Sequence, residues 1–188
     1  MANKRSKLEM PLIIGIDESN HGRDPEIFVA AITRDTREAL NTHPVELDKP
    51  RDRGRKKCKV KNPTRSLGMR DYTFLSAHGD DYARISEKKF MPTIITSLLI
   101  DKIDPEQERI HILVDGHLDT HQTRYTRDLL VDHMSLERGE VHVLGGAKFD
   151  EFYPIVNLAD SLAYWIFKNR SKSNPRREKH RRNILLNV

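Results

Sequence analysis

Apolar and polar positions along the chain fall into short blocks separated by turn residues. Leu12 to Ile16 is a short run of apolar residues and one glycine, the pattern of a buried strand, and it leads straight into Asp17 and Glu18. Glu26 to Thr33 (EIFVAAIT) reads as a second strand, and the turn-rich stretch from Ser19 to Pro25 predicts an antiparallel hairpin. Asp71 to Ser76 is a third strand. Met91, Ile94, Ile95, Leu98 and Leu99 then recur at helical spacing, with Pro92 tolerable in a first turn. Glu108 to Asp115 is a strand that again ends on an aspartate. Gln122 to Met134 predicts a helix with Asp119 or Thr120 as its N-cap. Glu140 to Leu144 alternates as a fifth strand, which Gly145-Gly146 breaks. In the last helix Ile155, Leu158, Ala159, Leu162, Ala163 and Ile166 form one apolar stripe, and Asn174-Pro175 ends the helix. The order β-β-β-α-β-α-β-α predicts an α/β fold: a mixed sheet with its hairpins first and its crossover helices later.

Length and charge change this picture in one respect. A chain of 188 residues predicts a single domain, spanning 1–188, and 37% hydrophobic against 32% charged residues is polar but not disordered in bulk. The formal charge of +5 hides two basic concentrations, a loop at about 35–69 and a C-terminal tail at about 168–188. Between Lys49 and Arg65 only Asp52 opposes a run that includes Arg53, Arg55, Lys56, Lys57, Lys59 and Lys61. A dense run of one sign is most simply a solvated loop, yet it also attracts a polyanion, so these six residues are candidate nucleic-acid contacts. Lys148, after Gly145-Gly146, is a further candidate cation for a phosphate. Cys58 is the single cysteine, which excludes an intramolecular disulfide framework and a multi-cysteine zinc site. The apolar run Pro11 to Ile16 is too short for a signal-peptide core, and no segment reaches membrane-spanning length. These features predict a soluble cytoplasmic protein with no membrane association.

The acids carry the candidate chemistry. Asp17-Glu18 alone is most simply a solvated strand end. However, Asp115 ends another strand, and Asp160 is the only charge in the row Val156, Asp160, Ala163, Phe167 at the border of the last helix's apolar stripe. If strands one and four are parallel neighbours, Asp17 and Asp115 meet at one edge of the sheet, and a helix crossing it can add Asp160. Adjacent strand residues point to opposite faces, so Glu18 joins them only if the strand ends or bulges there. Such crowded carboxylates need compensating cations, and oxygen-only ligands suit Mg²⁺ or Mn²⁺. Two such ions can activate water and stabilise the leaving oxygen in phosphodiester cleavage.

This arrangement resembles the ribonuclease H-like superfamily. Gly15-Ile16-Asp17-Glu18 resembles the opening strand of ribonuclease HII, and Leu113-Val114-Asp115-Gly116 resembles that family's next catalytic strand end. Asn157-Leu158-Ala159-Asp160-Ser161-Leu162-Ala163 is similar to the last helix of ribonuclease H-like domains of unknown function that open with Asp-Glu-Ser-Gly. The resemblance implies a five-stranded mixed sheet, its first three strands antiparallel, flanked by helices. It also implies a four-carboxylate site of Asp17, Glu18, Asp115 and Asp160 binding Mg²⁺ or Mn²⁺, and a metal-dependent endonuclease. The expected partners are RNA–DNA hybrid, RNA or structured DNA. The chain departs from ribonuclease HII where that family has a ribose-sensing glycine-arginine-glycine loop; Ser19-Asn20-His21-Gly22 stands there instead.

Two other classes compete. One is a nucleic-acid-binding module on the same fold with little or no catalysis. The other is a metal hydrolase centred on Asp115, His117 and His121, from the run D-x-H-x-D-x-H through Asp119, although such a run in a loop is most simply solvated. His21 is a candidate proton shuttle, with a solvent-facing loop histidine as the plainer reading.

Overall fold

A computed structural model of the chain describes residues 10–19, 25–40, 71–78, 85–104, 109–134 and 140–169. The elements are β1 (Leu12–Ser19), β2 (Glu26–Thr33), α1 (Thr36–Ala39), β3 (Asp71–Ala77), α2 (Glu87–Leu99), β4 (Ile110–Asp115), α3 (Thr120–Met134), β5 (Val141–Gly146), α4 (Phe149–Phe152) and α5 (Pro154–Asn169). One sheet runs β3-β2-β1-β4-β5. β1, β2 and β3 pair antiparallel, whereas β4 lies parallel to both β1 and β5. This is the five-stranded mixed sheet the sequence predicts, with β1 and β2 antiparallel neighbours.

Alternation along the strands sends side chains to two separate cores. Leu12, Ile14 and Ile16 of β1 pack with Ile110, Ile112 and Val114 of β4 beneath α2 and α3. Ile13 of β1, Val29 of β2 and Leu113 of β4 pack beneath α5, against Ile155, Ala159 and Leu162 of its apolar stripe. Phe28 and Phe90 meet edge-on, 6.0 Å between ring centroids, and help to seat α2.

Several predicted boundaries shift for identifiable reasons. α2 begins at Glu87, so Pro92 stands inside the helix rather than in its first turn. The hydroxyl of Thr96 donates to the Pro92 carbonyl at 2.9 Å, and the burial of Ile94, Ile95, Leu98 and Leu99 offsets the hydrogen bond that the proline cannot make. α3 begins with a reciprocal cap: the Gln122 N–H donates to Asp119 Oδ1 at 2.7 Å, and the Asp119 N–H donates to Gln122 Oε1 at 3.1 Å. Gly145 and Gly146 do not break β5 but extend it, opposite Val114 and Asp115. A Cβ on Gly145 would lie 2.8 Å from Leu118 Cγ, and one on Gly146 would run into the Phe149 ring, so both glycines serve close approach rather than a turn. The start of the predicted basic loop forms the short helix α1, and the tail's first residues, Lys168 and Asn169, belong to α5. Arg53, Arg55, Lys56, Lys57, Lys59, Lys61, Cys58 and His21 lie outside the described residues.

Candidate active site

The site forms where the parallel pairing of β1 with β4 ends. Their parallel register sets Ile16 opposite Val114, so the next residue on each strand is Asp17 and Asp115. Both fall on the α5 face, continuing the rows Ile13-Gly15 and Leu113. Gly15 allows α5 to come down close. A Cβ there would meet the Ile155 carbonyl carbon at 2.5 Å and the Val156 nitrogen at 2.6 Å. The same helix carries Asp160 to Asp17.

A fourth aspartate completes the group, and sequence reasoning missed it. Lys148 adopts a left-handed conformation (φ 67°) that turns the chain out of β5 and into α4. This turn buries Asp150, which is 7% exposed. Its N–H donates to Asp115 Oδ1 at 3.4 Å, and Asn157 Nδ2 of α5 donates to its carbonyl at 3.3 Å, tying α4 to both β4 and α5. One carboxylate oxygen from each of Asp17, Asp150 and Asp160 lies within 4.8 Å of the other two. Among the described residues this is the group arranged to hold a metal ion.

The electrostatics follow from that crowding. Asp17 is 3% exposed. Burial, and then the charges of Asp160, Glu18 and Asp115, push its carboxyl well above the usual carboxylate range, while the Glu18 N–H at 2.7 Å opposes the shift. A buried carboxyl among like charges takes up either a proton or a cation. All-oxygen donors of this kind fit Mg²⁺ or Mn²⁺.

Glu18 is placed differently. β1 neither ends nor bulges at Asp17-Glu18 but keeps unbroken register with β2 through Ser19 opposite Ile27. The expected break is absent, and the half-buried Glu18 side chain alternates to the face of α2, within electrostatic reach of Asp17 but outside the three-aspartate group. The zinc-like run does not converge. Asp119 caps α3, the exposed His121 stacks on Tyr125 with centroids 6.1 Å apart, and His117 is exposed. Lys148 is exposed, 4.0 Å from Glu151.

The sheet order and the helices packed on its two faces give a ribonuclease H-like α/β fold. The chain is similar to ribonuclease H2 from Pyrococcus horikoshii OT3, with a TM-score of 0.52 and 20% identity over 85% of this chain and 72% of that one. It is similar to Bst-RNase HIII in complex with Mn²⁺, with a TM-score of 0.54 and 18% identity over 88% of this chain and 55% of that enzyme. It is also similar to the RNase HII of Archaeoglobus fulgidus, whose structure is a complex with PCNA, with a TM-score of 0.51 and 15% identity over 92% of this chain and 87% of that one. At these identities the likeness is one of fold. No protein-family model and no curated protein matches the chain. Among the described residues, no helix is long and apolar enough to cross a membrane.

Proposed function

We propose that this protein is a divalent-metal-dependent nuclease that hydrolyses phosphodiester bonds in RNA-containing nucleic acid. The observation that carries the proposal is the convergence of Asp17, Asp150 and Asp160 within 4.8 Å, beside Asp115, at the β1–β4 edge of a ribonuclease H-like sheet. Asp17, Asp115, Asp150 and Asp160 hold Mg²⁺ or Mn²⁺, and Glu18 adds negative charge from the other face. Bound there, the metal supplies an activated water and charge neutralisation at the phosphate. The protein's own part is to keep the ligands fixed. Asp17 is buried on a central strand, Asp150 is tied to Asp115 and Asn157, and Asp160 sits on a helix seated against Gly15. Lys148 and the basic residues Arg53, Arg55, Lys56, Lys57, Lys59 and Lys61 draw the polyanion toward a site that would otherwise repel it.

The test is cleavage of labelled RNA–DNA hybrid, single-stranded RNA and duplex DNA with Mg²⁺ or Mn²⁺, beside Asp17→Asn. The proposal expects metal-dependent cleavage of an RNA-containing substrate that Asp17→Asn abolishes. Metal-independent binding without cleavage of any substrate would instead make the chain a binding module. Cleavage that survives Asp17→Asn and is lost in His117→Ala would overturn the carboxylate site.

A further inference from the structure

The turn that delivers Asp150 also presents two side chains that the metal site does not use. Lys148 precedes α4 and Phe152 closes it, four residues further on, with the buried Asp150 between them in the chain. The Lys148 side chain is 69% exposed and Phe152 is 48% exposed. Phe149 and Tyr153, on either side, pack instead against each other with centroids 4.8 Å apart and join the core beneath α5. Phe152 is thus the aromatic residue of this turn that is left to solvent. Lys148 holds a left-handed conformation that is unfavourable for a residue with a side chain. The turn it makes leaves Lys148 exposed and Asp150 buried.

A cation and an exposed aromatic ring, set two residues to either side of a metal-ligating acid, match the two parts of a nucleotide. Lysine meets the phosphate, and the ring offers a stacking surface to a base. In a continuous duplex both faces of every base are already covered by its neighbours. A ring at this position gains a stacking partner only from a base without one. We infer that the α4 turn is a nucleotide-binding subsite, with Phe152 stacking on an unpaired base beside the scissile phosphate and Lys148 contacting the adjacent phosphate. The preferred substrate is therefore an RNA-containing strand with an unpaired base, at a bulge or overhang, rather than in continuous hybrid. This inference rests on the nuclease reading for the place of the scissile phosphate.

The experiment measures binding of the full-length Asp17→Asn protein, with Mn²⁺, to a labelled RNA–DNA hybrid and to the same hybrid with one unpaired ribonucleotide, by fluorescence anisotropy. Circular dichroism of each further variant checks the fold. The unpaired-base substrate binds more tightly. Phe152→Ala weakens it about ten-fold, the loss of one base–aromatic stack, and leaves the continuous hybrid unchanged. Phe152→Trp restores the affinity, and Lys148→Ala weakens both substrates in a salt-dependent way. Equal affinity for the two substrates, or no effect of Phe152→Ala on the unpaired one, overturns the subsite. Cleavage by the wild-type protein is scored separately. Cleavage with no role for Phe152 removes only the subsite, while Phe152-dependent binding without cleavage removes the nuclease reading and keeps the subsite as a binding one.

Discussion

On the α2–α3 face of the sheet, β1 contributes Leu12, Ile14 and Ile16; on the α5 face the same strand contributes Ile13, Gly15 and Asp17. The first set are large aliphatic side chains, all of them buried. The second set shrinks to a glycine and then ends in a buried charge. Gly15 forgoes packing volume so that α5 can approach, and the approach brings Asp160 within ligand distance of Asp17. One face supplies stability and the other gives some of it up to hold acids together. A strand alternating between two environments can do both within a few residues.

Substitutions that act on one face only should separate these roles. The largest effect is expected from Asp150→Asn, which removes a metal ligand without removing volume. Metal-dependent cleavage should fall about a hundred-fold or more, the several kcal/mol that a bound metal contributes, while the thermal midpoint of the metal-free protein does not drop. Ile16→Ala, next to Asp17 but on the other face, should cost about 2–5 kcal/mol of stability in a denaturant titration. Its cleavage rate per folded molecule should stay near wild type. Gly15→Ala should do both on a smaller scale: about 1–3 kcal/mol lost by overpacking against Ile155 and a lower cleavage rate as Asp160 moves away. If Gly15→Ala left the rate untouched, α5 would not be the element that sets the site.

The smallest effect concerns pH. Asp17 is raised above its unfolded value first by burial and then by Asp160, Glu18 and Asp115. A carboxyl with a raised folded pKa contributes stability that is fully present below the unfolded pKa and is lost as pH rises through the folded one. Metal-free Asp17→Asn should therefore melt above the wild type at neutral pH, by about 2–4 °C for each kcal/mol, and the gap should close as the pH is lowered. Mn²⁺ should reverse the order, because the wild-type site, with its full set of carboxylates, binds the cation more tightly than the variant does.

Much of this was legible in the sequence because long periodic segments and strand-terminal acids carry their own signal. The run from Glu26 to Thr33 is β2 residue for residue, and the parallel pairing of β1 with β4, on which the meeting of Asp17 and Asp115 was conditional, is present. Asp160 stood out as the one charge in an apolar row, and it lies beside Asp17. Asp150 did not stand out, because α4 is four residues long and too short to show a period. The signal it did carry was positional: an acid just beyond a strand that is parallel to β4 and ends at the same sheet edge. Gly145-Gly146 read as a breaker because glycine usually marks a turn, and only tertiary contact with Leu118 and Phe149 explains glycine inside β5. The resemblance groups Glu18 with Asp17 on condition that the strand ends or bulges there, and the unbroken register of β1 with β2 sends the Glu18 side chain to the opposite face instead.

The most direct test of the central claim is a crystal structure of the wild-type protein grown with Mn²⁺, with anomalous differences measured at the manganese edge. Anomalous peaks are expected between β1, β4, α4 and α5, with carboxylate oxygens of Asp17, Asp150 and Asp160 as ligands and Asp115 in contact. A manganese peak at His117 and His121 with none at Asp17, or no peak at saturating Mn²⁺, would contradict that claim.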